Sequence, residues 1–526
     1  MAFVTNSNQQ FNFNDPLYGL TEREKKYLEK SWAVGFYKLI FSSINEERFK
    51  DLYSSNPASR PNTPVNVIFG ALILKELFAL TDDELIERMM FDMLFQHALG
   101  TGSFEEQPVS DRTFSRFRER LYNYEIETGR DLVQEEMEAL ADSFASFSGV
   151  NRSIRRMDSL MVASNCKKMS RLEIMYTCVA NMVKRMKKQD ELISDQYKHY
   201  LEEDDVNKII YHRRSDGLEE RLQEVIHDGV NLSKQVPDSL YDSSEFRLLQ
   251  RVLREQTEST PNGPKPKDKA QIKTDSLQNP SDPDATYRKK AGKDHKGYTA
   301  NIVELSPNEG PNYITHYDLK PNTYSDQSFA EDIIENLGEQ EDELILIADG
   351  AFGSEDIKSA AKDNNIQLLT TALIGKTPEP ILSEFQIDEE QGKVLSCPGG
   401  KEPIKTTYYP KTGMYRAVFQ KTDCANCPYR TNCSMKEQKK SNVVSITSKT
   451  IARAKQVIHM GSQAYKEFAK KRNGIEGIPS LLRRRYDIDH VPVRGLVRLK
   501  TWLGFKIGAI NSKRLLKSVQ EPIKCS

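Results

Sequence analysis

Glu343-Leu344-Ile345-Leu346-Ile347-Ala348-Asp349-Gly350 is the stretch on which the fold turns. Its aliphatic run does not alternate with polar residues, so it reads as a strand buried on both faces, in the middle of a sheet. It stops at Asp-Gly, a turn dipeptide. Asp349 therefore sits at the carboxyl end of a central strand, where open α/β sheets gather their ligand sites. Downstream, Ser354 caps a helix that runs to Asp363, and Ile366–Thr371 is another strand. Upstream, Asp326–Leu337 reads as a helix, and the stretches 297–305 and 312–319 as two strands joined by a turn at 308–311. Further back, Ser153–Val162 is a strand containing Asp158. This order implies an α/β fold: a mixed sheet flanked by helices, with a long piece inserted after its first strand.

That inserted piece is helical and highly charged from Ser170 to Thr257, the character of a solvated or dimerising insertion. Residues 258–284 are rich in Pro, Lys, Asp and Ser and read as a flexible linker. Ahead of the sheet, residues 1–20 read as extended or disordered and 21–150 as an all-helical domain. Thr21-x-x-Glu24 and Thr81-x-x-Glu84 are capping boxes. Val65–Leu80 is apolar enough for a buried helix, and 126–147 reads as one helix. The helix that begins at Ser110 or Asp111 carries Arg112, Arg116, Arg118 and Arg120. Three helices with a basic third resemble a helix-turn-helix unit, so Arg112, Arg116 and Arg120 are candidate DNA contacts.

The 526 residues are too many for one core. With 29% charged residues and a mean hydropathy of −0.63, the chain reads as soluble and cytoplasmic, with no membrane partner and no signal peptide. The net charge of −1 hides an asymmetry: residues 451–526 hold 17 Lys and Arg against 5 Asp and Glu. A segregated basic end is the footprint of a polyanion partner. Within it, Lys471–Arg485 has one acid, Glu476, among five cations. A lone carboxylate flanked by guanidinium groups suits a site that holds a divalent metal and faces phosphates. Taken singly, Asp349 is a turn residue and Glu476 a charge-paired surface residue. Taken together with Asp158 and the sheet order, they form a set of hard oxygen donors suited to two Mg²⁺ ions about 4 Å apart, the arrangement used for phosphoryl transfer.

Residues 375–450 interrupt the pattern with Cys397-Pro398-Gly399-Gly400 and then Cys424-x2-Cys427-x5-Cys433. Four cysteines within 37 residues, in a chain without an export signal, read as a tetrahedral Zn²⁺ site that staples the insertion. Cys166, Cys178 and Cys525 read as free thiols. Trp502 and Phe505 read as core residues of an amphipathic helix, and His295 and His316 as structural.

Three segments carry a resemblance: Met157-Asp158-Ser159, Ala348-Asp349-Gly350-Ala351-Phe352 and Arg472-x3-Glu476-x6-Arg483. With them the chain resembles bacterial insertion-sequence transposases of the DDE class, over roughly Pro64 to Leu516. Many members of that group show Tyr-x2-Arg-x3-Glu-x6-Lys; here Ala469 replaces the Tyr and Arg483 the Lys. The resemblance implies an RNase H-like catalytic domain formed by 151–374 (with the insertion and linker at 167–284) and 451–516. The cysteine-bearing insertion of 375–450 lies between those two parts, and 517–526 is a tail. It also implies that Asp158, Asp349 and Glu476 bind catalytic Mg²⁺ or Mn²⁺, and that Arg472 and Arg483 face the DNA backbone; Arg484, beside Arg483, is a further candidate DNA contact. The implied activity is binding of terminal inverted repeats, cleavage and strand transfer, by a homodimer or higher oligomer on double-stranded DNA in the nucleoid. The rivals are a nuclease of the same fold without strand transfer and a non-catalytic, transposase-derived DNA-binding protein.

Overall fold

The computed structural model describes residues 1–6, 19–56, 58–101, 109–211, 217–261, 263–290 and 292–520. Cys525 and most of the tail lie outside them, as do 7–18 of the expected disordered segment. Residues 1–6 are not loose: Ala2 is buried and bridges Ser54 and Pro61. The helices are α1 (Glu22–Glu29), α2 (Trp32–Leu39), α3 (Val65–Phe78), α4 (Asp82–Phe91), α5 (Met93–Leu99), α6 (Asp111–Thr128), α7 (Leu132–Phe147), α8 (Arg171–Lys188), α9 (Leu218–Ser233), α10 (Ser244–Gln256), α11 (Asp326–Leu337), α12 (Glu355–Asp363), α13 (Lys421–Ala425), α14 (Ser448–Met460), α15 (Gln463–Asn473), α16 (Gly477–Tyr486) and α17 (Leu496–Gln520). The strands are β1 (Ile154–Ala163), β2 (Thr257–Thr260), β3 (Gly263–Pro266), β4 (Thr286–Lys290), β5 (Lys293–Leu305), β6 (Ile314–Pro321), β7 (Leu344–Ala348), β8 (Ile366–Thr370), β9 (Gln386–Asp388), β10 (Lys393–Ser396), β11 (Lys405–Tyr409), β12 (Met414–Phe419), β13 (Lys436–Glu437) and β14 (Asn442–Thr447).

The chain forms two compact units. Residues 1–152, 158–325 and 478–526 make the first; residues 153–157 and 326–477 make the second. The main sheet is mixed, with hydrogen-bonded order β4-β5-β1-β7-β8 and β6 also on β5. Strand β5 is long enough to take β4 along 293–297 and β6 along 298–304, both antiparallel.

In the first unit, Thr21 and Thr81 close both expected capping boxes. In helix α3 the stretch Val67–Leu74 is apolar throughout and every residue of it is buried. The first N–H groups of α3, at Val65 and Asn66, donate to the buried Glu46 carboxylate, which also suits the positive end of the helix. The stretch 126–147 is not one helix: α6 ends at the left-handed Gly129, and Asp131 caps α7 through Val133 and Gln134.

Helix α17 is pinned to this unit by charge and amide pairing. Lys506 pairs with Glu76 at 2.8 Å, Lys500 with Glu125 at 3.1 Å and Arg514 with the buried Glu304 at 2.7 Å. Asn511 exchanges two hydrogen bonds with the Ile314 backbone. Phe505 packs on Phe69, the core role expected of it. Three of the seventeen cations after Ile451 are thus committed to internal acids, a use that composition cannot distinguish from a polyanion surface.

The linker expected at 258–284 is built into the fold instead. It begins with the β2–β3 hairpin and goes on to bury Leu277 and Asp282. Helices α8, α9 and α10 form their own core around Met175, Val179, Ile226, Leu249 and Val252, to which Leu277 also belongs.

In the second unit, β7 lies parallel between the first residues of β1 and β8, with Ile154 opposite Ile345 and Leu344 opposite Ile366. The insertion forms a four-stranded antiparallel sheet, β11-β12-β14-β13, over a core of Tyr415, Ala417, Phe419, Val444 and Ile446.

Candidate active site

The half-buried Asp349 caps a one-turn 3-10 helix, Gly350–Phe352, at the carboxyl end of β7. Its Oδ1 accepts the Gly350 N–H at 2.6 Å, which fixes the carboxylate at the strand end. Space dictates the glycines that follow. A Cβ on Gly350 would lie 2.5 Å from the Ala372 carbonyl oxygen, and one on Gly353 2.6 Å from Thr370 Cγ2.

Residues 451–516 read as helical in sequence, which would put Glu476 on a helix. It lies on a 3-10 turn, Gly474–Glu476, where α15 gives way to α16. Glycines 474 and 477 flank it, and two weak helix formers loosen the ladder at that point. Arg472 Nη1 donates to Glu476 Oε1 at 2.5 Å, with the arginine side chain 12% exposed and the glutamate 62%. The turn is held from β1. The buried Arg156 donates from Nη1 to the Lys471 carbonyl at 2.5 Å, satisfying a carbonyl near the C-terminus of α15 where the helix dipole is negative. Its guanidinium abuts Gly474: a Cβ there would be 3.0 Å from Arg156 Cζ and 3.3 Å from Nη2, and would collide with Nη1. Burial, and then the same guanidinium, lower the Lys471 pKa. On the other side, Tyr465 of α15 donates its hydroxyl to the Thr370 carbonyl on β8, and Gln456 of α14 reaches Thr370 Oγ1 at 3.2 Å. Nothing in the sequence singles out Arg156, one of two adjacent arginines on a strand.

Asp158 lies half-buried on β1 and accepts the Ser159 N–H at 2.9 Å. It belongs to the first unit, whereas Asp349 and Glu476 belong to the second. The loop after β1 is tied down within the first unit. Ser164 Oγ donates to Asp282 at 2.5 Å, Tyr298 donates to the same carboxylate, Asn279 reaches the Lys167 carbonyl and Arg494 the Asn165 carbonyl. These bonds explain why the supposed linker is ordered. Among the described residues, no three His, Cys, Asp or Glu side chains are grouped to hold a metal ion.

The same statement covers the cysteines, yet Cys397, Cys424, Cys427 and Cys433 all line one pocket of the insertion. Burial raises the Cys433 pKa, and the three other cysteines raise it further. A Cβ on Gly399 would lie 3.3 Å from Cys427 Sγ and 3.7 Å from Cys397 Sγ, so those two sulfurs crowd one glycine.

The candidate DNA contacts separate into two groups. Arg112, Arg116, Arg483 and Arg484 are exposed. Arg120 lies over the Tyr53 ring at 4.7 Å, Arg118 makes a two-pronged bond to Asp82 at 2.6 and 2.9 Å, and Arg483 has Asp489 at 3.5 Å. Stacking and forked pairing give Arg118 and Arg120 structural work on α6. His316, read as structural, pairs with Glu138 at 2.5 Å.

Two segments match transposase family models. Residues 25–120 match a model described as "Transposase domain (DUF772)", and residues 396–516 one described as "Transposase DDE domain". The first covers α1 to the middle of α6 with its exposed arginines; the second covers the four cysteines, Arg472, Glu476 and Arg483. A cryo-EM structure of a piggyBac transposase synaptic complex with hairpin DNA aligns with 96% of this chain and 75% of its own. At 10% identity and a TM-score of 0.29 that similarity is too slight to define the fold. No curated protein matches the sequence. The two family matches support a transposase of the DDE type, a class that cleaves and transfers DNA strands with divalent metal ions. Among the described residues no helix is long and apolar enough to cross a membrane.

Proposed function

We propose that the protein is the transposase of an insertion sequence. It binds terminal inverted repeats in double-stranded DNA, cuts the 3′ strand and joins the freed hydroxyl to target DNA, acting as a homodimer or higher oligomer in the cytoplasm. Asp158, Asp349 and Glu476 are its metal-binding residues. What supports this assignment is the match of residues 396–516, Glu476 among them, to a transposase DDE domain, with Asp349 at the carboxyl end of β7. Their donor chemistry fits Mg²⁺ or Mn²⁺, because all three side chains offer hard oxygen and none a thiol or imidazole. When bound, such ions would activate water or a 3′-hydroxyl and stabilise the leaving oxygen.

The chain's own residues do the rest. The Ser159 and Gly350 N–H groups each take one oxygen of the preceding aspartate and so orient the carboxylate. Arg472 donates to Glu476 Oε1 and so orients that carboxylate. Arg472, Arg483 and Arg484 offer guanidinium groups to the scissile and flanking phosphates, and Arg112 and Arg116 face the repeats. A structural Zn²⁺ on Cys397, Cys424, Cys427 and Cys433 belongs to the same proposal; it is supported by their spacing and by the pocket they share.

The test uses purified protein, Mg²⁺ and duplexes taken from the DNA that flanks the reading frame. Cleaved and joined products are expected from the wild type. Asp158→Asn, Asp349→Asn and Glu476→Gln should each lose cleavage while retaining DNA binding. A variant that cleaves like the wild type removes its residue from the site. Cleavage without joining makes the protein a nuclease, and absence of both from the wild type defeats the proposal.

A further inference from the structure

We infer that the open face of the β11-β12-β14-β13 sheet is a second DNA-contacting surface, one that takes the phosphate backbone of duplex DNA. The inference rests on the DNA-binding role proposed above and adds a site to it. In an antiparallel sheet, residues directly opposite one another share a face, and alternate residues along a strand share it too. The register sets Tyr408 opposite Tyr415, Ala417 opposite Val444 and Tyr415 opposite Ile446. That face carries Tyr415, Ala417, Phe419, Val444 and Ile446, the core of the insertion.

The other face therefore holds Lys405, Thr407 and Tyr409 of β11, Met414, Arg416 and Val418 of β12, Val443, Ser445 and Thr447 of β14 and Lys436 of β13, with Val443 buried among them. Lys405, Tyr409, Ser445 and Lys436 are exposed, and Arg416 is half-buried. None of the strand residues on this face is acidic. The acid on β13, Glu437, falls on the opposite register and is paired with Lys421 and Arg430 at 3.1 and 3.2 Å. The surrounding segment 393–441 has ten Lys and Arg against three Asp and Glu. A solvated sheet face ordinarily mixes its signs. Three cations from three strands, with no acid among them and a tyrosine beside them, are complementary to a run of phosphates. Threonine and serine hydroxyls between the cations are the usual further donors to phosphate oxygens. This differs from Lys500, Lys506 and Arg514 of α17, which are already paired with internal acids.

The experiment measures binding of full-length protein to a random-sequence 40-bp duplex by fluorescence anisotropy across a series of KCl concentrations. Each phosphate contact contributes about 0.9 to the slope of log affinity against log salt. The triple variant Lys405→Gln, Arg416→Gln, Lys436→Gln should therefore flatten the slope by about 2 to 3, with weaker binding at low salt. As a measurement independent of any variant, lysine acetylation read by mass spectrometry should show Lys405 and Lys436 protected by DNA in the wild type. If the wild type binds with a steep salt dependence while the triple variant keeps that slope and both lysines stay equally reactive, the sheet face is not a DNA surface and the function proposed above stands. If the wild type does not bind duplex DNA at all, both fail.

Discussion

Replacing Gly474 by Ala offers a sharp test of how the Glu476 turn is held, because two effects of opposite sign can be separated. Gly474 has φ −64° and ψ −24°, ordinary right-handed helical values, so the backbone itself favours alanine by about 0.5–1 kcal/mol. The obstacle is Arg156. A Cβ at 3.0 Å from its Cζ, and closer to Nη1, forces the guanidinium away from the Lys471 carbonyl. Losing a hydrogen bond from a charged donor costs about 1.5–3 kcal/mol. Crowding the buried Arg156 beside this exposed glycine adds about 1 kcal/mol. Gly474→Ala should therefore destabilise the turn by about 1.5–3.5 kcal/mol in the wild type. In an Arg156→Ala background the same change should stabilise it by about 0.5–1 kcal/mol. The coupling, about 3 kcal/mol or more, stands at the top of the range for residues in contact. Hydrogen exchange of peptides spanning 463–486 reads the local opening free energy in all four proteins. If Gly474→Ala has the same effect with and without Arg156, then Arg156 does not clamp the turn and the reasoning is wrong.

Other outcomes can be measured in parallel. Burial and the neighbouring Asp131 carboxylate push the Glu125 carboxyl up to about 7 from its usual 4.5, against the pull of Lys500. A raised folded-state value means that the stability it contributes is full below about 4.5 and lost as pH rises through about 7. Chemical denaturation should thus show stability falling between pH 5 and 8, and Glu125→Gln should flatten that fall; an unchanged profile would sink the assignment. Protein prepared under reducing, chelator-free conditions should carry about one Zn²⁺ per chain, lost in the Cys424→Ser, Cys427→Ser double variant along with protease resistance of 393–441, and metal analysis decides it. Arg483→Ala should weaken binding to every duplex alike and lower the salt slope by about 0.9. Arg116→Ala should instead reduce the preference for terminal repeats over random DNA, seen as a smaller ratio of the two affinities.

The sheet was legible because burial on both faces leaves a plain mark: the apolar run before Asp349 could be little else, and β1, β5, β6, β7 and β8 fall where the alternating or apolar patterns put them. Capping boxes were legible because they are local, needing only a hydroxyl and a carboxylate three residues apart. The segment 258–284 was misread because its order comes from distant partners. Asp282 is held by Ser164 and Tyr298, and no window of sequence contains all three. Helix boundaries at Gly129 and Gly474 were lost to continuous amphipathic patterns on either side. Of the candidate carboxylates, Asp349 was picked from its strand end, which the structure keeps, and Glu476 from its charge context. Arg156 left no trace, since a buried arginine that caps a distant helix is indistinguishable in sequence from an exposed one.

The course of β1 has a consequence for anyone wishing to exchange parts of this protein. The chain crosses between the compact units at 152/153, 157/158, 325/326 and 477/478, so neither unit corresponds to one continuous stretch of gene. A recombination event or an expression clone that carried 326–477 alone would bring β7 and β8 but leave Ile154–Arg156 behind. The backbone donors and acceptors of β7 along that side would then be bare on an aliphatic strand, a template for pairing with another copy and for aggregation. The five residues 153–157, four of them from the first strand, are a small graft; without them the larger fragment is not a transferable module.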